Sequence, residues 1–307
     1  MDIKSLKNKL VNCRFRLYYS TLFKMKVWMA RQANFWLTID KPGSFPKITG
    51  DGVRTIANHY YDEVSTVCTK KVGANDVVFV RGDFLLTYFK KIHPKISNRY
   101  VLVSHNSDEN IDSRFAGFAD DKIIHWFGQN ILINDPKVSP VPIGLSNFRY
   151  KGRAYLSELS RLSLSSNKKS LVLSCFSEET NAKRSAIKEE LKKYSVVKTL
   201  EQLEQEDYLK TISEYKFIAS PEGNGIDCHR TWEALYLRSI PIVERNATTE
   251  YFEKIGLPIV LVDDWKELET WDEKEITRKY DELKTKFDSE ALYINYWFEL
   301  ISSKQNG

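Results

Sequence analysis

An α/β fold built on parallel sheets follows from three observations. Short apolar runs alternate with helical stretches over residues 77–262, and strand–helix alternation defines the class. Most of those runs are continuous Val/Ile/Leu segments, the pattern of strands covered on both faces by crossover helices. The 307 residues suffice for one large domain or two medium ones, each with a real core.

The strands are expected at 77–81 (VVFVR), 100–104 (YVLVS), 122–126 (KIIHW), 170–175 (SLVLSC), 195–198 (SVVK), 216–220 (KFIAS), 240–244 (IPIVE) and 259–262 (IVLV). Each is a short β-branched or aromatic run bounded by polar or turn residues. Helical spacing of apolar residues fills 179–194, 200–214, 227–238 and 249–255. Between the third and fourth strands, Pro140 and Pro142 close an extended PVPIGL segment, after which 150–168 runs polar and serine-rich. That stretch reads as the connection between two α/β units, giving a first unit over 1–155 and a second over 156–265. Residues 266–307 read as helices that pack back on both, with Trp271, Tyr280, Tyr293 and Trp297 as packing residues. There is no internal repeat and no low-complexity tract.

Composition narrows the class. Hydrophobic residues at 42% and charged residues at 28% describe an ordinary globular protein. Cys13, Cys68, Cys175 and Cys228 lie far apart without a CxxC pair, which argues against a disulfide framework or a thiolate zinc site. No apolar run reaches the ~20 residues of a membrane span, and the N-terminus lacks a signal-peptide pattern, so a cytoplasmic location is expected. Of the net charge of +5, residues 1–31 carry more than all: eight Lys and Arg against the single Asp2. Phe15, Tyr18, Tyr19 and Trp28 are interleaved there. A basic helix with aromatics suits peripheral contact with an anionic membrane surface, and equally a solvated helix covering the domain. The charge continues into no nucleic-acid-binding motif.

The chemistry is concentrated in 220–244, SPEGNGIDCHRTWEALYLRSIPIVE. A strand ends before Glu222, Gly223, Asn224 and Gly225; a helix follows. In an open parallel sheet, ligands bind beyond the carboxyl ends of strands. Gly223 and Gly225 permit close backbone approach, and Asp227 is positioned to cap the helix, whose N–H groups and dipole suit a phosphate. On a helical wheel His229, Arg230 and Glu233 share one ~100° sector, while Cys228, Trp232, Leu235 and Ser239 face the core. Arg230 can pair with a diphosphate and Glu233 can accept two ribose hydroxyls, a nucleotide-diphosphate site. Taken alone, GNGIDC is a GxGxxG lacking its third glycine, and Arg230 with Glu233 at i,i+3 also fits a surface ion pair.

The segment FIASPEGNGIDCHRTWEALYLRSIPIVE resembles the donor-binding signature of the exostosin-like glycosyltransferases. WFGQNILINDPKVSPVPIGL (126–145), FSEETNAKRSAI (176–187), VVFVRGDFL (77–85) and YVLVSHNSD (100–108) are similar to further segments of that family. The resemblance implies two Rossmann-like lobes of the B-type glycosyltransferase fold, with the acceptor side in the first and the donor in the second. It implies a hexosyl- or pentosyltransferase that uses a UDP- or GDP-sugar, inverts the anomeric centre and needs no cofactor or metal. The absence of an Asp-x-Asp triplet agrees with the last point. By that carry-over Arg230 contacts the diphosphate and Glu233 the ribose. Glu222, Asn224 and Asp227 line the sugar or phosphate side with Gly223, Gly225 and His229, and Arg184 and Lys183 add positive charge toward the leaving group. Arg238-Ser239 stands where the family more often has two small residues, and Arg238 is expected in solvent.

An inverting transfer needs a base near the acceptor hydroxyl. The candidates at strand ends of the first lobe are Asp108, His105 and Asp83, in that order, each of which also fits a plain turn or capping residue. His125 reads as a core residue; His59 and His93 read as surface positions. Two alternatives compete with a glycosyltransferase acting on a glycan: a non-catalytic binder of nucleotide sugars, and another doubly wound nucleotide-dependent enzyme such as an oxidoreductase.

Overall fold

The computed structural model describes residues 45–164 and 167–305. The basic segment 1–31 and its expected membrane contact lie outside the described residues.

Two five-stranded, all-parallel sheets form the frame. The first runs β1 (His59–Tyr61), β2 (Val77–Arg81), β3 (Tyr100–His105), β4 (Ile123–Gly128) and β5 (Val138–Pro140) in sequential order. Side chains alternate across its pleat. Val77, Phe79, Val101, Val103 and Phe127 enter the large core that also fills the second lobe. Val78, Val80, Tyr100, Leu102 and Trp126 build a separate cluster on the other face. Burial on both faces is why these runs are apolar throughout.

The second sheet comprises β6 (Ser170–Ser174), β7 (Val197–Thr199), β8 (Tyr215–Ala219), β9 (Ile240–Glu244) and β10 (Val260–Val262), in the order β7-β6-β8-β9-β10. The direction of winding reverses between β6 and β8. Such a reversal opens a crevice at the carboxyl ends of the two strands.

The helices are α1 (Gly50–Arg54), α2 (Leu85–Lys91), α3 (Phe148–Leu164), α4 (Arg184–Leu191), α5 (Gln205–Glu214), α6 (His229–Tyr236), α7 (Ala247–Lys254), α8 (Glu273–Leu283) and α9 (Ile294–Ser303). The stretch read as a polar connection is mostly α3, kinked at Gly152 (φ 72°). Its buried stripe of Tyr155, Leu156, Leu159 and Leu162 lies at helical spacing. The C-terminal segment reaches back to the first lobe: Ile294 N donates to Pro46 O at 3.0 Å. Tyr236 joins three parts at once, its hydroxyl accepting from Ile48 N at 2.8 Å and donating to Leu292 O at 2.7 Å. Among the described residues no helix is long and apolar enough to cross a membrane.

Candidate functional site

A cavity of about 680 Å³ opens at the β6/β8 switch point, within the usual range for ligand sites. Phe176, Ser177 and Thr180 after β6 line it, together with Gly223, Asn224 and Gly225 after β8 and with Cys228, His229, Arg230 and Glu233 of the following turn and helix.

Arg184 holds the two loops in place. Its Nε donates to Glu222 O (2.8 Å), Nη1 to Ser177 O (2.9 Å) and Thr180 Oγ1 (2.6 Å), and Nη2 to Pro221 O (2.8 Å) and the Cys228 sulfur (3.7 Å). All five donors of the guanidinium are thus engaged by the protein, so Arg184 serves as a staple under the site while its charge still borders the cavity. Lys183 is exposed and does not line the cavity.

Arg230 is placed differently. Its Nε and Nη1 are buried without a hydrogen-bond partner, and its Cζ lies 5.6 Å from the centre of the Phe176 ring. The Tyr208 hydroxyl lines the same cavity and interacts electrostatically with the guanidinium, but the two make no hydrogen bond of good geometry. Unmatched buried donors are rare in folded proteins and call for a ligand or water. Glu233, almost wholly buried, accepts the Tyr155 hydroxyl at 2.8 Å and presents its carboxylate to the cavity.

The glycine turn is fitted against the first lobe. A Cβ on Gly225 would come within 2.5 Å of Asn130 Nδ2, so only glycine allows this approach. Asp227 N donates to Asn130 Oδ1 (3.0 Å), and the Asp227 carboxylate accepts Ile143 N (2.8 Å) and Trp232 Nε1 (3.0 Å). Asp227 does not cap α6: the N-cap is Cys228, with no side-chain cap bond. Burial pushes the Asp227 carboxyl up to about 7. Cys228, assigned to the core by the helical wheel, instead lines the cavity. Glu222 is tied back to β9, its N–H donating to Glu244 Oε2 at 3.0 Å, and Asn224 is exposed at the rim.

A second, smaller cavity of about 240 Å³ adjoins the first on the side of the first lobe. It is lined by Arg81, Asp83, Asn106, Ser107, Gln129, Asn147 and Tyr150, among others, and shares Asp108, Ile143 and His229 with the larger one.

The three expected bases separate cleanly. His105 is buried, accepts Asn106 N on Nδ1 (2.7 Å) and reaches Pro142 O from Nε2 (2.9 Å). Burial lowers its pKa to about 4. With both ring nitrogens used inside the fold, it cannot accept a proton from a substrate. Asp83 is bound to Arg81 Nε (2.6 Å) and Ser107 Oγ (2.8 Å), and lines only the smaller cavity. Asp108 is exposed where the two cavities meet. Of the other histidines, His125 is buried and bonded to Ser139 Oγ at 2.8 Å, as expected. His93 is not at the surface: it is buried between the Tyr100 hydroxyl (2.7 Å) and Asp120 (3.0 Å).

Sequence reasoning missed Asn130, Ile143, Gly144, Tyr155 and Tyr208. Asn130, Ile143 and Gly144 lie in the 126–145 segment that carries part of the resemblance, but nothing in the sequence marks them, Tyr155 or Tyr208 as site residues. A family model described as "RXYLT1 C-terminal domain" matches residues 145–301. No curated protein matches the chain.

Proposed function

The chain belongs to the RXYLT1 C-terminal domain family, and from that premise we propose that it is a glycosyltransferase moving a sugar from a nucleoside-diphosphate sugar to a hydroxyl of a glycan acceptor. The supporting observation is Arg230: a buried guanidinium with two unmatched donor atoms, in a cavity at the topological switch of a parallel sheet. A diphosphate is the ligand whose paired oxygens match that fork. The uncapped start of α6 adds positive potential on the same side.

In this reading the diphosphate lies between Arg230 and the Gly223–Gly225 turn. Glu233, steadied by Tyr155, takes the ribose hydroxyls. Asn224 lies on the sugar side at the rim, Glu222 supports the turn from behind through Glu244 and Asn246, and the acceptor enters from the smaller cavity. The acceptor oxygen attacks the anomeric carbon as the bond to phosphate breaks, with inversion. Arg230 meets the charge that builds on the departing diphosphate. No metal takes part in this scheme, so activity persists in EDTA.

Isothermal titration with UDP and GDP, followed by turnover of a panel of UDP- and GDP-sugars, tests the proposal. UDP-xylose comes first, because the matched domain is xylosyltransferase-related. Micromolar nucleotide binding with release of UDP or GDP is the expected result. No affinity for any nucleotide would overturn it.

A further inference from the structure

The residue best placed to take the acceptor proton is neither Asp83 nor His105, and it stands on the donor-lobe helix. His229 is the first residue of α6, and it borders both cavities. Its Nδ1 lies 2.8 Å from Gly144 O, across the cleft in the other lobe. A carbonyl only accepts, so Nδ1 carries the proton and the neutral ring keeps its lone pair on Nε2. Among the described residues Nε2 has no hydrogen-bond partner.

The carbonyl that fixes this tautomer is itself fixed. Gly144 has φ +66°, and a Cβ there would lie 2.4 Å from Ile48 O. No other residue fits that conformation and that contact, so the backbone of the PVPIGL segment is locked with its oxygen toward the imidazole. Next to it, the Ile143 N–H is held by Asp227 at 2.8 Å, which ties the same segment to the turn before α6. The ring is therefore held from both lobes. Asp108, the carboxylate at the same junction, has no such support from neighbouring side chains.

We propose that His229 is the catalytic base of the transfer and that Gly144 is its positioning residue; this rests on the glycosyltransferase reading above. As the acceptor oxygen bonds to the anomeric carbon, its proton passes to His229 Nε2. The pair of the breaking carbon–oxygen bond leaves with the nucleoside diphosphate beside Arg230. The imidazolium then returns its proton to water, and the Gly144 carbonyl holds the ring throughout.

His229→Asn and His229→Ala test this. Asparagine can offer an amide N–H in place of Nδ1–H and has nothing in place of Nε2. With UDP-xylose as donor and water or a glycan panel as acceptor, the expected result is UDP binding within threefold of wild type. KM for the donor is likewise unchanged, and kcat falls at least 100-fold in both variants. Added imidazole restores turnover to His229→Ala, which a structural role would not allow. Turnover by His229→Asn within threefold of wild type overturns the proposal and leaves the donor site intact. Loss of UDP binding in the variants also overturns it, because His229 would then hold donor. Failure of the wild type itself to bind UDP or GDP sinks the donor-site reading and this base with it.

Discussion

Arg230 and Arg184 show how far residue type carries and where geometry takes over. Both were visible in the sequence as cations near a phosphate-friendly turn. Five protein acceptors around Arg184 make it a staple, whereas Arg230 keeps buried donors unmatched. Four of the five acceptors are backbone carbonyls or a loop hydroxyl brought together by the fold, and no sequence pattern announces them. Arg230→Ala is accordingly expected to cut turnover about 10²–10³-fold with the melting curve little changed; steady-state kinetics beside circular dichroism checks it. Asp227 yields a prediction of a different kind. Its carboxyl is ordinary at 3.8 and about 7 in the fold, because burial disfavours the charge. The folded state therefore binds the proton more tightly than the unfolded one. Its contribution to stability is intact below pH ~4, declines as pH rises toward 7, and levels off above it. Asp227→Asn removes this slope. Thermal unfolding between pH 4.5 and 8.5 should show the variant gaining on wild type as pH rises, by an amount on the order of a few kcal/mol. A constant difference across that range would refute the ionisation account.

At the level of elements, the buried strands were legible because burial on both faces leaves a continuous apolar run. β9 lies at 240–244, as read, and β2 at 77–81. β1 and β5 were missed, each being three residues at a sheet edge, too short for any period to show. α3 was missed because serines and the positive-φ Gly152 obscure its stripe, which becomes continuous only from Tyr155. The end of α6 was legible as an anomaly. Arg238, where small residues were expected, has φ 58°. Arg238 N donates to Leu235 O (3.0 Å) and Ser239 N to Ala234 O (2.9 Å), the paired bonds of a Schellman ending that favours glycine. Arg238→Gly relieves the left-handed backbone and loses the contact of the half-exposed guanidinium with the buried Phe287 ring at 5.3 Å, about 0.5 kcal/mol, and a loose surface ion pair with Asp288 at 3.8 Å that is worth close to nothing. The balance is a gain of about 0.5–1 kcal/mol, measurable as a raised midpoint in urea; a fall in the midpoint would contradict it.

Across the whole molecule, the two sheets share one hydrophobic core that runs from Phe79 and Val103 in the first to Phe217 and Ile242 in the second. Asp227 and His229, between the Gly-rich turn and α6, are bonded to the first lobe through Asn130, Ile143 and Gly144, and α7 through Thr248 Oγ1 to Ile131 O at 2.7 Å. The lobes therefore meet through packed side chains and buried polar bonds, and local unfolding of one strips the other of partners. This is the part of the design least legible in sequence, since its contacts join residues 84 to 117 positions apart. Tyr236 is the sharpest probe of it. The hydroxyl is the only thing Tyr236→Phe removes, yet it leaves Ile48 N and Leu292 O buried and without their present partner. Two unmatched backbone groups cost about 2–4 kcal/mol together, lowering the melting temperature by several degrees. Because the core is shared, the variant should still unfold in one transition, with calorimetric and van't Hoff enthalpies in agreement. Two resolved transitions would show that the lobes are held together less tightly than this shared core requires, and that the cleft between them opens without the rest of the fold.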